Sequence, residues 1–303
     1  MRNPIRLIKG LYNRLFYYCA PAKIYLDKKF KEFSGKHINW KNPTTYNEKL
    51  QWLKVYNKNS SHAKLVDKYD VRQYIVEKIG EQFLIPILGV WERVEDINFD
   101  ELPNQFVLKC THDSGSVLIC KDKSTFDIAE AKKRLAKRLR TNFYYNCREY
   151  PYKYIKTPRI IAEKYMVTGS GQPPLDYKFM CFEGEPKLLF LDIGVCEANN
   201  LGGHAEHYYR NVYDMDFIPV DMKETRDHID LDKINAPKTF EKMKKIAKVL
   251  CQGLPHCRVD LYEIDGTVYF GEITFFHGAG YNFFEPKEWD KTLGDWIKLP
   301  NKK

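Results

Sequence analysis

The stretch Arg258-Val-Asp-Leu-Tyr-Glu-Ile-Asp-Gly-Thr-Val-Tyr-Phe-Gly-Glu-Ile-Thr274 decides how the rest of the chain is read. Two runs rich in β-branched and aromatic residues flank an Asp-Gly pair, a strong short-range signal for a β-hairpin. Loop length then sets the chemistry, because side chains alternate across a strand and a one-residue slip moves them to the other face. A two-residue loop at Asp265-Gly266 places Asp260 and Glu272 on opposite faces. A three-residue loop, with Ile264-Asp265 in a type I turn and Gly266 left-handed, pairs Glu263 with Thr267 and gathers Arg258, Asp260, Glu272 and Thr274 on one face. That register also buries better, since Val259, Leu261, Tyr269 and Ile273 form a mostly apolar reverse side, and it is the one expected. Asp260 and Glu272 are then diagonal neighbours, about 7–8 Å apart, and can share hard cations. The plain alternative is a surface hairpin whose charges face water; two acids and an arginine beside an aromatic-rich run are dense for that.

A chain of 303 residues can bury a large core and suits two or three lobes. Its 44% hydrophobic and 15% aromatic content indicates an ordered protein, and the net charge of +9 suits nucleotides, acidic glycans, nucleic acid or a membrane surface without choosing among them. The cysteines form no CxxC pair, and several lie in apolar runs such as Val107–Cys110 and Val117–Cys120, as reduced core residues of a cytoplasmic protein do. Near the start, Arg2, Arg6, Lys9 and Arg14 precede Leu15–Ala22, an uncharged run too short and too aromatic for a secretory core or a membrane span. A basic amphipathic helix is expected over residues 1–22, with Ile5, Ile8, Leu11, Tyr12 and Leu15 on one face. It either packs on the body of the protein or rests on an anionic membrane.

Residues 25–97 read mainly as helix. Thr45 with Glu48 is a capping box that starts a helix at Tyr46, a second helix is expected over Ala63–Ile79, and Phe83–Trp91 reads as extended and buried. Gln105–Cys110 and Val117–Cys120 read as strands around Thr111-His-Asp-Ser-Gly-Ser116, a loop whose amides can close over phosphates. Lys109 in this strand either faces an anionic ligand or snorkels to water. A basic helix follows, from Thr125 or Asp127 to Arg140, and then a strand over Arg159–Met166. It leads to a hinge at Gly169-Ser-Gly171, a place where adenine can dock on backbone. Leu175–Phe182 and Lys187–Leu191 form a second hairpin signal in which Asp176 and Lys178 share a face. Residues 194–232 read as polar and irregular, and His204, His207 and His228 there lack a familiar zinc spacing. Pro237–Cys251 is a helix, and Trp289–Pro300 a short amphipathic one.

Taken together, Asn42-Pro-Thr-Thr-Tyr-Asn-Glu-Lys-Leu-Gln-Trp52, Phe106-Val-Leu-Lys109 with His112-Asp-Ser-Gly115, Glu163-Lys-Tyr-Met166, Asp176-Tyr-Lys178 and Arg258-Val-Asp…Gly271-Glu-Ile-Thr274 resemble the ATP-grasp superfamily, and within it the TupA-like branch of teichuronopeptide biosynthesis. The resemblance spans roughly residues 35–300 and implies an α+β fold in which two lobes clamp ATP and Mg²⁺, behind a mainly helical N-terminal region. The implied bounds are 1–101 for that region, 102–168 for the small lobe and 169–303 for the large lobe. It implies that Lys109 contacts the α/β-phosphates, that His112, Asp113, Ser114, Gly115 and Ser116 form the flap, and that Glu163, Lys164, Tyr165 and Met166 line the adenine. Lys178 would support the transferring phosphoryl group, and Arg258 and the His277–Gly280 loop would face the acyl-phosphate oxygens. Asp260, Glu272 and Thr274 would hold the metal, Thr274 standing where the superfamily usually has asparagine.

The implied activity is ATP-dependent joining of a carboxylate to an amine. The expected partners are a carboxylate-bearing sugar or glycan and an amine or amino acid, with no nucleic acid, in the cytoplasm, either free or at the inner face of the membrane. Two other readings exist. Asp214-Met-Asp216 and Asp230-Leu-Asp232 could be the metal-binding DxD pair of a glycosyltransferase, although no early βαβ nucleotide-sugar domain precedes them. A binding module for acidic glycan or nucleic acid would use the basic surface, against the repulsion of Asp260 and Glu272.

Overall fold

The Glu48 amide donates to the Thr45 hydroxyl at 3.3 Å and the Glu48 carboxylate accepts from the Thr45 amide at 3.4 Å, so the helix Tyr46–Tyr56 starts at its capping box. The structure, a computed structural model, describes residues 15–195, 208–230 and 234–302. The expected basic face of residues 1–14, Cys196, His204, His207 and Asp232 lie outside them. Within residues 15–19, which are helical, Phe16 and Tyr17 pack against the cluster of Tyr25, Leu26, Phe30 and Ile38. The buried Arg148 guanidinium donates to the Tyr17 carbonyl. No helix among the described residues is long and apolar enough to cross a membrane.

The expected helix over residues 63–79 is two, Ala63–Val66 and Val71–Lys78. Asp67 interrupts it: its Oδ1 accepts from the amides of Tyr69 and Asp70, both at 2.9 Å, a local bond pattern that competes with helix. The break is used, since the Lys68 amide donates to the Thr111 carbonyl at 3.0 Å and ties this region to the next lobe.

Two larger antiparallel sheets follow, beside a two-stranded pairing of Lys223–Glu224 with Phe284–Glu285. The smaller of the two has strand order β1 (Ile87–Trp91), β4 (Ile160–Lys164), β2 (Phe106–Cys110), β3 (Leu118–Cys120). The extended segment before residue 102 thus pairs into this sheet through β4. The helix Ile128–Leu139, capped by Asp127, covers one face, with Leu108, Ile160 and Ala162 meeting Ala131 and Leu135.

The large sheet has the order β10 (Thr267–Thr274), β9 (His256–Ile264), β5 (Asp176–Phe182), β6 (Glu185–Ile193), β7 (Tyr209–Tyr213). Strand β7 lies in the stretch expected to be irregular, where Asp192 opposes Arg210 and a charge pair supports the register. Phe179, Leu189, Val259 and Leu261 belong to the main core, with Phe179 stacked on Phe240 of the helix Phe240–Leu250. The helix Tyr46–Tyr56 and the C-terminal helix Glu288–Asp295 contribute Tyr46, Leu50 and Leu293 to the same core, as Val71–Lys78 does through Val71 and Ile75, so these helices form a layer on the large sheet.

The β9–β10 hairpin corrects the expected turn. Its loop has two residues, Asp265 (φ 50°) and Gly266 (φ 81°), a left-handed pair that matches the strand twist. Ile264 pairs with Thr267, and Val268 and Phe270, not Tyr269, are buried with Leu261. A bulge at Gly271 then restores the parity, so Glu272 pairs directly with Asp260 and Thr274 with Arg258. A Cβ on Gly271 would stand 3.0 Å from the Tyr262 ring and 3.1 Å from the Asp260 carbonyl, which explains the glycine.

Candidate active site

The face of the large sheet opposite Phe179 and Leu261 carries a row of charged side chains, set by register. Lys178 faces Asp260 between β5 and β9, and Asp260 faces Glu272 between β9 and β10. Asp176 faces Asp192 between β5 and β6. Asp260 is held from two sides: both its oxygens accept from Arg258, at 2.6 and 2.7 Å, and Oδ2 also accepts from Lys178 Nζ at 2.8 Å. Arg258 Nη2 reaches Glu272 Oε1 at 2.6 Å, and the Thr274 hydroxyl donates to the same oxygen at 3.1 Å. Lys178 also donates to Asp176 Oδ2 and lies 3.9 Å from Asp192.

These charges set one another's protonation. Burial alone would neutralise Lys178, but Asp176 and Asp260 more than offset it and raise its pKa. Burial pushes the Asp176 carboxyl up to about 6, against the pull of Lys178 and with the help of Asp260 and Asp192. Burial also works against the Glu272 carboxylate, yet Arg258, Lys68 and Lys178 together bring its pKa down to about 2. Glu272 remains the open member of the set, with 43% of its side chain exposed against 2% for Asp260.

At the Asp176 end of this row a cavity of about 220 Å³ lies between the two sheets. It is lined by Lys109 and Val107 of β2, Glu163 to Met166 at the end of β4, Gly115, and Asp176 and Tyr262 of the large lobe. Lys109 Nζ is 2.6 Å from Glu163 Oε2. Asp176 Oδ1 is buried without a hydrogen-bond partner. Mostly apolar walls with a few convergent polar groups are the usual make-up of a small-molecule site. The expected hinge is a turn in which the Gly171 amide donates to the Thr168 carbonyl at 2.8 Å. The Gly169 amide donates to Asp265 Oδ1 at 3.0 Å, docking it on the hairpin tip.

The structure separates the members of the expected flap. Gly115 reaches the cavity and Ser114 is exposed, whereas His112, Asp113 and Ser116 are buried. His112 Nε2 faces the carbonyls of Arg138 and Thr141 at 3.3 and 3.2 Å. Ser116 Oγ donates to Asp113 at 2.5 Å and accepts from the Cys110 amide at 2.9 Å, which staples the loop to β2. Asp214 accepts from the amides of Asp216 and Ile218 at 2.9 and 2.8 Å, the role of a turn former. His228 Nε2 donates to the Met222 carbonyl at 2.9 Å.

Several residues of the site carry no motif of their own. Asp192 grips Arg210 bidentately at 2.6 and 2.7 Å, and Arg210 also binds Glu224. The helix Tyr46–Tyr56 supplies Gln51, bonded to the carbonyls of Ala279 and Gly280 at 3.0 and 2.8 Å, and the buried Lys54, bonded to Ala279 and Cys147 carbonyls at 2.8 and 3.0 Å. The available signal was the Asn42–Trp52 phrase, which contains Gln51 but not Lys54. Its targets lie more than 200 residues away, beyond the reach of local pattern.

Among the described residues no three His, Cys, Asp or Glu side chains are grouped as a protein-only metal site needs. The donor set is two opposed carboxylates and a hydroxyl, all hard oxygens. It suits a cation that completes its shell with substrate phosphates and water.

The comparisons bear on the fold and the family. No curated protein matches the sequence. Among solved structures, D-alanine–D-alanine ligase from Bacillus anthracis complexed with ATP is 17% identical with a TM-score of 0.40, over 71% of this chain and 57% of that one. A RimK domain ATP-grasp protein from Sphaerobacter thermophilus is 9% identical with a TM-score of 0.41, over 80% and 70%. The ATP-grasp ligase PsnB complexed with minimal precursor, Mg and ADP is 11% identical with a TM-score of 0.36, over 77% and 60%. The chain thus spans less than two thirds of the ligase matched first. The TupA-like ATPgrasp family model covers residues 48–298, from the helix that carries Gln51 and Lys54 through the Asp260–Glu272 hairpin, and the chain belongs to that family.

Proposed function

We propose that the chain is an ATP-dependent carboxylate–amine ligase that works through an acyl phosphate. The observation that carries this reading is the convergence of Lys178, Arg258, Asp260 and Glu272 on one sheet face, joined through Asp176 to the cavity that Lys109 and Glu163–Met166 also line. Lys109 meets the α/β-phosphates, the loop His112–Ser116 brings Gly115 over them, and Glu163, Lys164, Tyr165 and Met166 receive the adenine. The unpaired Asp176 Oδ1 accepts from a ribose hydroxyl. Asp260, Glu272 and Thr274 would hold Mg²⁺, which when bound neutralises phosphate charge.

In the first half-reaction a carboxylate oxygen of the acceptor attacks the γ-phosphorus and ADP leaves. Lys178 and Arg258 offset the charge on the transferring group, and Asp260 holds both cations in place for it. In the second, an amine attacks the acyl carbon, the C–O bond to phosphate breaks and phosphate departs. The net charge of +9 and the resemblance to the teichuronopeptide branch favour an acidic sugar, such as a uronic acid of a surface polysaccharide, as the carboxylate. An amino acid or similar amine is the partner, and the cytoplasm, at the inner face of the membrane, is the setting.

The test is incubation with Mg²⁺, ATP, a panel of uronic acids and a panel of amines. ADP and phosphate are expected in equal amounts with amide, and oxygen label from the carboxylate should pass into phosphate. AMP with pyrophosphate, or label retained in the product, would rule the acyl phosphate out.

A further inference from the structure

His277 sits in a turn that the rest of the protein holds still. Gly278, Ala279 and Gly280 all have positive φ, of 55°, 52° and 70°, unusual for the alanine. Gln51 and Lys54 bind its carbonyls, and Asn282 Nδ2 donates to the His277 carbonyl at 3.1 Å while its amide donates to Asn47 Oδ1 at 2.8 Å. The imidazole is 3% exposed, beside the Phe190 ring at 5.5 Å.

A guanidinium can only donate. Arg258 Nη1 lies 2.9 Å from His277 Nδ1, so Nδ1 is the acceptor and the ring proton sits on Nε2. Nε2 faces Glu224 Oε1 at 3.7 Å, and Glu224 is itself fixed by Arg210 and by the Thr225 hydroxyl at 2.9 Å. The other Arg258 nitrogens are committed to Asp260 and Glu272. Among the described residues, His277 is therefore the one side-chain hydrogen-bond partner of Arg258 that comes from outside the hairpin.

We infer that His277 is the positioning residue of Arg258: a neutral imidazole, its Nδ1 held as acceptor by the Arg258 donor and its Nε2 turned towards Glu224, that fixes the guanidinium over the Asp260–Glu272 pair. The inference rests on the ATP-dependent reading above for its consequence but not for its geometry. Protonation would turn Nδ1 into a donor and set two cations 2.9 Å apart. Burial first, then Arg258 and Arg210, oppose that protonation, with Glu224 pulling the other way and His256 the remaining titratable neighbour.

Two measurements test it. Nitrogen-15 NMR of the histidine rings at pH 7 should show His277 neutral with its proton on Nε2; an imidazolium, or a proton on Nδ1, overturns the inference whatever the protein binds. Calorimetry of Mg·ADP with and without aluminium fluoride reads the contribution of Arg258 to a transferring phosphoryl group. His277→Phe should weaken the fluoroaluminate complex on the order of tenfold with Mg·ADP affinity unchanged, the loss of one charge-assisted hydrogen bond. His277→Asn, whose amide oxygen can take the place of Nδ1, should recover most of it. Equal fluoroaluminate affinity in wild type and His277→Phe refutes the positioning role. A wild type that does not bind Mg·ADP refutes the ATP reading instead, and the NMR still decides the inference.

Discussion

Asp260 and Glu272 stand directly opposite each other across the β9–β10 ladder, although the two-residue turn between them would by itself put them on opposite faces. The extra residue of the Gly271 bulge reconciles the two, so the acidic pair depends on a backbone irregularity that only glycine fills without crowding. Gly271→Val should cost about 1–3 kcal/mol by overpacking against Tyr262 and Asp260. It should also abolish Mg²⁺-dependent nucleotide binding. Thermal melting and calorimetry read the two effects, and a variant that melts and binds as wild type removes the bulge from the argument.

The two carboxylates differ in what their removal does to the fold. Asp260 is buried between Arg258 and Lys178, so Asp260→Asn leaves two buried cations short of a partner and should destabilise by about 3 kcal/mol or more. Glu272 is 43% exposed, and Glu272→Gln should melt within a few degrees of wild type while Mg²⁺-dependent turnover falls at least on the order of a hundredfold. Equal melting losses in the two variants would contradict this asymmetry.

Lys109 and Lys178 should separate binding from chemistry. Lys109→Ala is expected to weaken binding of a non-hydrolysable ATP analogue about tenfold, and Lys178→Ala to lower kcat more than affinity. Unchanged analogue affinity in Lys109→Ala would show that its contact with Glu163, at 2.6 Å, is its whole role.

His256 should give the protein an acid-labile joint. Its Nδ1 donates to the Cys181 carbonyl at 2.8 Å and its Nε2 accepts from the Tyr46 hydroxyl at 2.9 Å, and burial holds its pKa down at about 3. The unfolded chain, with a pKa of about 6.5, binds the proton first, so this contribution is complete above that value and is lost as pH falls towards the folded one. Melting temperature against pH should therefore fall less steeply on the acid side in His256→Gln than in wild type. Parallel curves would remove His256 as the cause.

Local chemistry made much of this protein legible. The Thr45–Glu48 capping box, the Asp127 cap and the Asp265-Gly266 turn act over a few residues, and each marks an element end in the structure. Alternation alone placed Asp176 and Lys178 on one face. The same local reasoning chose the wrong loop at the hairpin and still placed Asp260 and Glu272 together, because a three-residue loop and a two-residue loop followed by a bulge add the same single residue to the parity. Asp67 was missed as a helix breaker because its two amide bonds are worth making only where Lys68 can bind Thr111.

What only the tertiary structure decided is who shares a charge with whom. The site residues come from β5, β6, β7, β9, β10, the segment that carries Glu224 and the His277 turn, and strand order between non-adjacent segments set their contacts. Gln51 and Lys54 could be read as residues of a helix, but their partners at Ala279 and Cys147 follow from how that helix packs. Side-chain type and spacing determine which face a residue occupies; the burial of a whole face, summed over distant strands, determines what that residue meets there.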